Sequence, residues 1–311
     1  MCTTKGIMMK KIAWITDSTC GLSEDFIRKN NIFVLPLNVI VNGVSYKEDI
    51  EFTENKFYEL LKEHGEGATT SQPAYGEFLD LYEKIKEDYD YGIAIHASSA
   101  LTGTYESSIN ASRQIGFPVE VIDSKIGAYA LGKMIKNGID LEKQGKSYKE
   151  IVAELKKLPD LTEMYLLPAS LHQLKRSGRV STTQSVFASL LSINLLLGFD
   201  NGKVIVKDKI RTKRRAEKRL FQTISETVKK HRLKEICVMH AGVKERAQDW
   251  KEQTQKINQH INVKIATLVP VAGVHTGYGT MAVAWLRDNY IDKEKLISIK
   301  PLEMIRKRKS I

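Results

Sequence analysis

Short apolar runs alternate with longer amphipathic ones through the first half of this chain. That alternation restricts the fold more than any other feature. "KIAWIT" (Lys11 to Thr16), "YGIAIHA" (Tyr91 to Ala97) and "VEVIDS" (Val119 to Ser124) have the length and β-branched content of buried strands. Between and after them, "ENKFYELLKEH", "YESSINASRQIG" and "KIGAYALGKMIKNGIDLEKQG" read as helices, with Thr53 and Thr104 as caps and Gly65, Gly116 and Gly145 as stops. Strands that alternate with helices pair in parallel and are covered on both faces. An N-terminal α/β domain with a parallel, Rossmann-like sheet is therefore expected over residues 10–160. Ligands of such sheets sit at the carboxyl ends of the strands. Asp17-Ser18, Ser98-Ser99 and Asp123-Ser124 all fall there, which predicts a polar rim.

Two signals interrupt the alternation. "IFVLPLNVIV" is a strand region broken at Pro36, and Asn42-Gly43 in "VNGVSY" marks a hairpin. Beyond Pro159 hairpins mix with helices. "MYLLPAS" reads as a strand, "LHQLKRSGRVS" as a helix stopped at Gly178, and "FDNGKVIVKDKI" as a hairpin turned at Asn201-Gly202. A long basic helix starts near Thr212, and "EICVMHA" and "VKIATLVP" are further strands. A second, α+β domain with a mixed sheet is expected over 161–292, followed by a basic tail over 293–311.

The chain of 311 residues is long enough to enclose an internal cavity. The apolar run "VFASLLSINLLLGF", Val186 to Phe199, is expected as a helix, either an ordinary core helix or the wall of an internal tunnel. It is too short for a membrane span and carries Ser189, Ser192 and Asn194, so no integral membrane segment is expected. The opening residues lack the apolar length of a signal peptide, which points to the cytoplasm. Cys2, Cys20 and Cys237 are far apart and odd in number, and no CxxC pair occurs, so neither a disulfide framework nor a zinc ribbon is expected.

The chain has no phosphate-binding P-loop, no GxSxG elbow and no HExxH, and its seven histidines are scattered, so no metal is expected. What it does have is rich in hydroxyls. "TTSQP" (Thr69 to Pro73) is expected at a helix N-terminus. "HASSALTGTYESS" puts Ser98 and Ser99 just past a strand. "AGVHTGYGT" (Ala272 to Thr280) is expected as a glycine loop between a strand-like and a helix-like run, with Gly273, Gly277 and Gly279 around His275. Together these predict a cradle for a small anion such as a carboxylate or phosphate. His96, on a strand, is expected to be a core residue.

The formal net charge is +11, concentrated in "RTKRRAEKR" (Arg211 to Arg219) and "IRKRKS" (Ile305 to Ser310). Such clusters serve as solvated faces, as nucleic-acid surfaces or as docking sites for acidic proteins.

The motifs "ITDSTCGLS", "TTSQPAYGEF", "SSALTGTYESS", "VIDSK", "LKRSGRVS", "KIRTKRRA" and "AGVHTGYGT", in this order from about Lys11 to about Tyr290, resemble the DegV family of bacterial fatty-acid-binding proteins. The resemblance implies a two-domain fold with a fatty acid buried between the domains, and no cofactor. Its carboxylate would be held by Thr69 or Thr70, by Ser99 with Ser98 nearby, and by His275. The resemblance further implies a carrier without catalysis of its own. A separate fatty-acid kinase would phosphorylate the bound acid to acyl-phosphate for phospholipid synthesis. Arg179 and Arg211, extended by Lys213, Arg214 and Arg215, match positions linked to presentation and kinase docking. Tyr278 stands where the family often has proline, and Ala74 where serine is common. Two other readings compete: a serine-dependent hydrolase or acyltransferase pairing Ser99 with His275, and a basic nucleic-acid-binding regulator. The hydrolase lacks an identifiable orienting acid, and the resemblance implies no nucleic-acid partner.

Overall fold

The computed structural model describes residues 11–48, 53–180, 193–231 and 233–287. The expected basic tail and the stretch 186–192 of the expected tunnel-wall helix lie outside these residues. The first half runs β1 (Ile12–Asp17), α1 (Glu24–Lys29), β2 (Ile32–Leu35), β3 (Asn38–Val41), β4 (Val44–Lys47), α2 (Glu54–His64), β5 (Thr69–Ser71) and α3 (Tyr75–Ile85). It continues with β6 (Tyr91–His96), α4 (Thr104–Ile115), β7 (Val119–Asp123), α5 (Ala128–Lys143) and α6 (Tyr148–Leu155). The second half runs β8 (Thr162–Leu167), α7 (Leu171–Ser177), β9 (Asn194–Asp200), β10 (Lys203–Ile210) and α8 (Lys213–Lys230). It closes with β11 (Glu235–His240), α9 (Lys244–Ile257), β12 (Asn262–Thr267), α10 (Pro270–Thr276) and β13 (Met281–Leu286).

The first sheet is parallel, in the order β2-β1-β6-β7. The second has six strands in the order β10-β9-β8-β13-β11-β12 and is mixed: only β11 and β12 run parallel, and the other pairs are antiparallel. The fold is therefore α/β, with the parallel and mixed sheets expected from the sequence. Pro36 explains a third sheet. It has no amide hydrogen to offer a ladder, so the chain leaves the parallel sheet at Leu35. It re-enters at Asn38 in a separate sheet, β4-β3-β5. Both Asn-Gly hairpins form, with positive φ at Asn42, Gly43, Asn201 and Gly202 as a type I′ turn requires.

Strand periodicity sets the layers. Ala13 and Ile15 of β1 face α3 and α4, packing with Phe78, Tyr82 and Ala111. Ile12 and Trp14 face the other way, into a core shared with Leu131, Met134 and Ile135 of α5. The inner face of the six-stranded sheet joins that same core through Met164, Leu166, Met239 and Ala282. Its outer face, with Leu167, Val238 and Trp285, is covered by Leu220 and Ile224 of α8 and Trp250 of α9. The order is helices, parallel sheet, α5, mixed sheet, helices.

Three local expectations are corrected. Thr69 to Ser71 is a strand paired with β3, not a helix start, because the edge of the small sheet takes up its backbone groups. Asn194 to Phe199 of the expected tunnel-wall helix lies in β9, between β10 and β8. An apolar run covered on both faces suits a central strand as well as a helix. "AGVHTGYGT" is not a simple loop: its first half completes α10, and the run after it is β13.

A candidate ligand cavity with a polar end

A cavity of about 190 Å³ lies between the carboxyl ends of the parallel strands and the inner face of the mixed sheet. This is more than ten times the ~10–15 Å³ that holds one water, so the space suits a ligand. Met164 and Leu166 of β8, Leu197 and Phe199 of β9 and Val204 of β10 form one wall. Their alternate neighbours Tyr165 and Leu196 point to the outer helices. Leu37, Ala97 and Ile126, which follow β2, β6 and β7, form the other wall together with Val271 of α10. This end of the sheet is where a parallel α/β unit presents its ligands.

One end of the cavity is polar. Thr70 Oγ1 and His275 Nε2 are 2.9 Å apart there, and Ser71, Gln72, Thr102 and Arg179 complete the rim. Gln72 is held by donating from Nε2 to Ser107 Oγ at 2.9 Å. Burial lowers the His275 pKa to about 4, helped by the positive charges of Arg179 and Arg176. The ring is neutral at physiological pH and offers one N–H donor.

His275 is placed by contacts distant in sequence. Glu48, fully buried, accepts from Val271 N at 2.9 Å and from Ser18 Oγ at 2.5 Å, tying the N-terminus of α10 to the loop after β1. Tyr58 of α2 donates to Leu268 O at 2.5 Å. Its ring packs so closely on Gly273 that an added Cβ would lie 2.6 Å from the Tyr58 hydroxyl. Gly277 ends α10 at φ +93°, and Gly279 has φ +91°. Gly273 therefore serves helix packing, while the other two serve chain reversal. Tyr278 donates to Gly242 O at 3.0 Å.

Thr70 and His275 are thus brought together. Thr69 lines an adjoining pocket instead. Ser98 and Ser99 do not line the cavity. Ser98 is fully buried and donates to Gly202 O at 2.7 Å, at the tip of the β9–β10 hairpin. Ser99 is exposed and donates to Asp123 Oδ2 at 2.5 Å. With Ser99 bonded to Asp123 and His275 to Thr70, no Ser99–His275 nucleophile pair exists. Arg179 stands at the cavity rim. Arg211, Lys213 and Arg214 are exposed around the start of α8, the helix on the outer face of the mixed sheet. Lys213 lines a different pocket beside Arg246.

The polar rim proves mostly structural. Asp17 is buried and accepts from Thr19 N at 3.0 Å and from Ala97 N at 2.9 Å; its Oδ2 lies 3.0 Å from His96 Nδ1. His96 is a fully buried core residue. Thr19, Gln72 and Ser177 reach the cavity although the sequence did not single them out. Each lies inside one of the quoted motifs, but only the fold shows which side chain in a motif faces inward. Among the described residues no helix is long and apolar enough to cross a membrane.

The fold and site define an α/β protein with a mostly apolar cavity that a hydroxyl–imidazole pair helps to line. The profile of the DegV family, described as uncharacterised proteins, matches residues 11–288, and the chain belongs to this family. A DegV domain-containing protein of Staphylococcus aureus (strain N315) is 34% identical over 279 residues, covering 90% of this chain and all of that one. Among solved structures, DegV of Bacillus subtilis, a fatty acid binding protein, is 31% identical with a TM-score of 0.81, covering 89% of this chain and 99% of that one. A fatty acid binding DegV family protein of Streptococcus agalactiae is 25% identical with a TM-score of 0.83, covering 90% of this chain and all of that one.

Proposed function

We propose that this chain is a cytoplasmic carrier that binds a long-chain fatty acid between an N-terminal domain (10–160) and a C-terminal domain (161–292). The acyl chain lies along the apolar walls and the carboxylate meets Thr70 and His275. The carrier presents that carboxylate to a separate fatty-acid kinase, which converts it to acyl-phosphate for phospholipid synthesis. The observation that carries the reading is a hydroxyl and a neutral imidazole 2.9 Å apart in the lining of a mostly apolar cavity. Fatty acid binding by the relatives from B. subtilis and S. agalactiae supports it.

The energetics assign different tasks to the two ends. Each buried methylene contributes about 0.8 kcal/mol, so a long chain dominates affinity. Burying a carboxylate costs several kcal/mol unless it is bonded. Charge-assisted bonds from Thr70 and His275, about 1.5–3 kcal/mol each, offset that cost and set the orientation of the ligand. Ser98 contributes indirectly, by holding the hairpin tip at Gly202. Arg179 belongs to presentation, and Arg211, Lys213 and Arg214 to kinase docking. Mass spectrometry of an organic extract of the purified protein tests the reading. A co-purifying long-chain acid, or stoichiometric uptake on incubation, is expected; failure of both would reject it.

A further inference from the structure

Glu235, at the start of β11, ties α5 to the edge of the mixed sheet. Its Oε1 accepts from the Tyr129 hydroxyl and from Lys133 Nζ at 3.0 Å, both of α5. Its Oε2 accepts from Asn262 Nδ2 at 2.8 Å and pairs with Lys264 Nζ at 2.7 Å, both of β12. Burial raises the pKa of this carboxyl, but the bonds from Lys264, Tyr129 and Lys133 outweigh it and bring it down to about 2. Lys136 lies one turn beyond Lys133 on the same face of α5. Four donors already fill the carboxylate, and among the described residues Lys136 forms no ion pair. Its ammonium lies 5.0 Å from the centroid of the Phe26 ring instead. Three ammonium groups thus gather at one carboxylate, and Lys136 is the half-buried one left without an acid.

Partial burial and like charge both disfavour an ammonium and turn a lysine into a nucleophile. Burial first, and then the charges of Lys264 and Lys133, lower the pKa of Lys136. The same two charges draw anions to the spot. An electrophile that is itself anionic therefore meets an activated amine and its attractors together. We propose that Lys136 is a site of non-enzymatic acylation by acyl phosphates, with Lys133 and Lys264 steering the phosphate group. The Nζ lone pair forms a bond to the acyl carbon. The bond from that carbon to the phosphate oxygen breaks, and phosphate leaves with the electron pair. The amine gives one proton to solvent. The resulting amide removes one of three like charges and leaves the four bonds to Glu235 in place. None of these residues lines the cavity, so the site stands independently of the fatty-acid reading.

Incubation of the full-length protein with acetyl phosphate near neutral pH, followed by digestion and mass spectrometry, reads the acetylation rate at each lysine. Lys136 is expected to react at least about fivefold faster than Lys84, which is exposed on α3. Its rate should also level off at a lower pH than that of Lys84. Lys264→Met removes one like charge and one attractor, and should slow Lys136 by about threefold or more. Lys264→Arg keeps the charge and should restore the rate. Lys133→Met makes the same test from the other side of Glu235, and decides the matter if Lys264→Met does not fold. A neutral reagent, N-hydroxysuccinimidyl acetate, isolates the steering: Lys264→Met should slow it less than it slows acetyl phosphate. Equal rates at Lys136 and Lys84 overturn the proposal, and so does an unchanged Lys136 rate in both Met variants. Preference for Lys136 with the neutral reagent alone rejects acyl phosphates as its modifier. Equal slowing of the two reagents rejects the steering role.

Discussion

His275 owes its character to its surroundings rather than to its type. A histidine in water titrates near pH 6.5, but burial beside two arginines lowers this one to about 4. The unfolded chain therefore binds a proton more readily than the folded one between these values. Stability contributed by the neutral ring is fully present above about pH 6.5 and is lost as pH falls toward about 4. His275→Gln should flatten the slope of unfolding free energy against pH in that window, measured by urea titration at several pH values; an unchanged slope would contradict the burial argument. At the same site, Thr70→Val and His275→Ala should each weaken fatty-acid binding about 10- to 100-fold, the loss of one charge-assisted bond. Ser99→Ala, away from the cavity, should leave binding within about twofold. The sequence pointed to hydroxyls and a histidine as a group. It could not rank Thr70 above Ser99, because a hydroxyl just past a strand can turn inward or bond the end of a neighbouring strand, as Ser99 does with Asp123.

At the level of elements, α10 is the piece on which the site depends. Seven residues are too few to hold a helix alone. Pro270 starts it, Glu48 accepts from its second residue, and Tyr58 packs on Gly273. Gly273→Ala would drive a methyl group into the buried Tyr58 ring and should cost about 1–3 kcal/mol, read as a lower denaturation midpoint with a loss of ligand affinity. Wild-type stability in that variant would show that Tyr58 can yield. Tyr278 closes the same turn by its bond to Gly242. The hairpins were legible because Asn-Gly encodes its own backbone geometry. Thr69 to Ser71 was not, since three residues beside a proline carry no period. Their strand state comes from β3, some thirty residues earlier.

At the level of the molecule, the proposed function depends on an interior between two sheets. Leu166 lines the cavity from a central strand and is 4% exposed. Leu166→Trp should fill the space and abolish fatty-acid uptake while circular dichroism stays native; retained uptake would place the chain elsewhere. The +11 charge belongs partly to the start of α8, on the far side of the mixed sheet from the cavity. Arg211→Ala should therefore lower kinase-dependent phosphorylation and leave fatty-acid affinity intact. If both fall together, Arg211 acts on the lipid site.

By itself, the sequence determined the alternating elements, the break at Pro36, both Asn-Gly turns and the set of motifs that mark the family, because these depend on local backbone chemistry and on periodicity. The tertiary structure alone decided which motif residues face one another. Thr70 and His275 are 205 positions apart, and Glu48 and Val271 are 223 apart. No local propensity links such pairs. They meet because two sheets share α5 and the inner core, and that packing leaves a cavity at the strand ends with Thr70 and His275 in its lining.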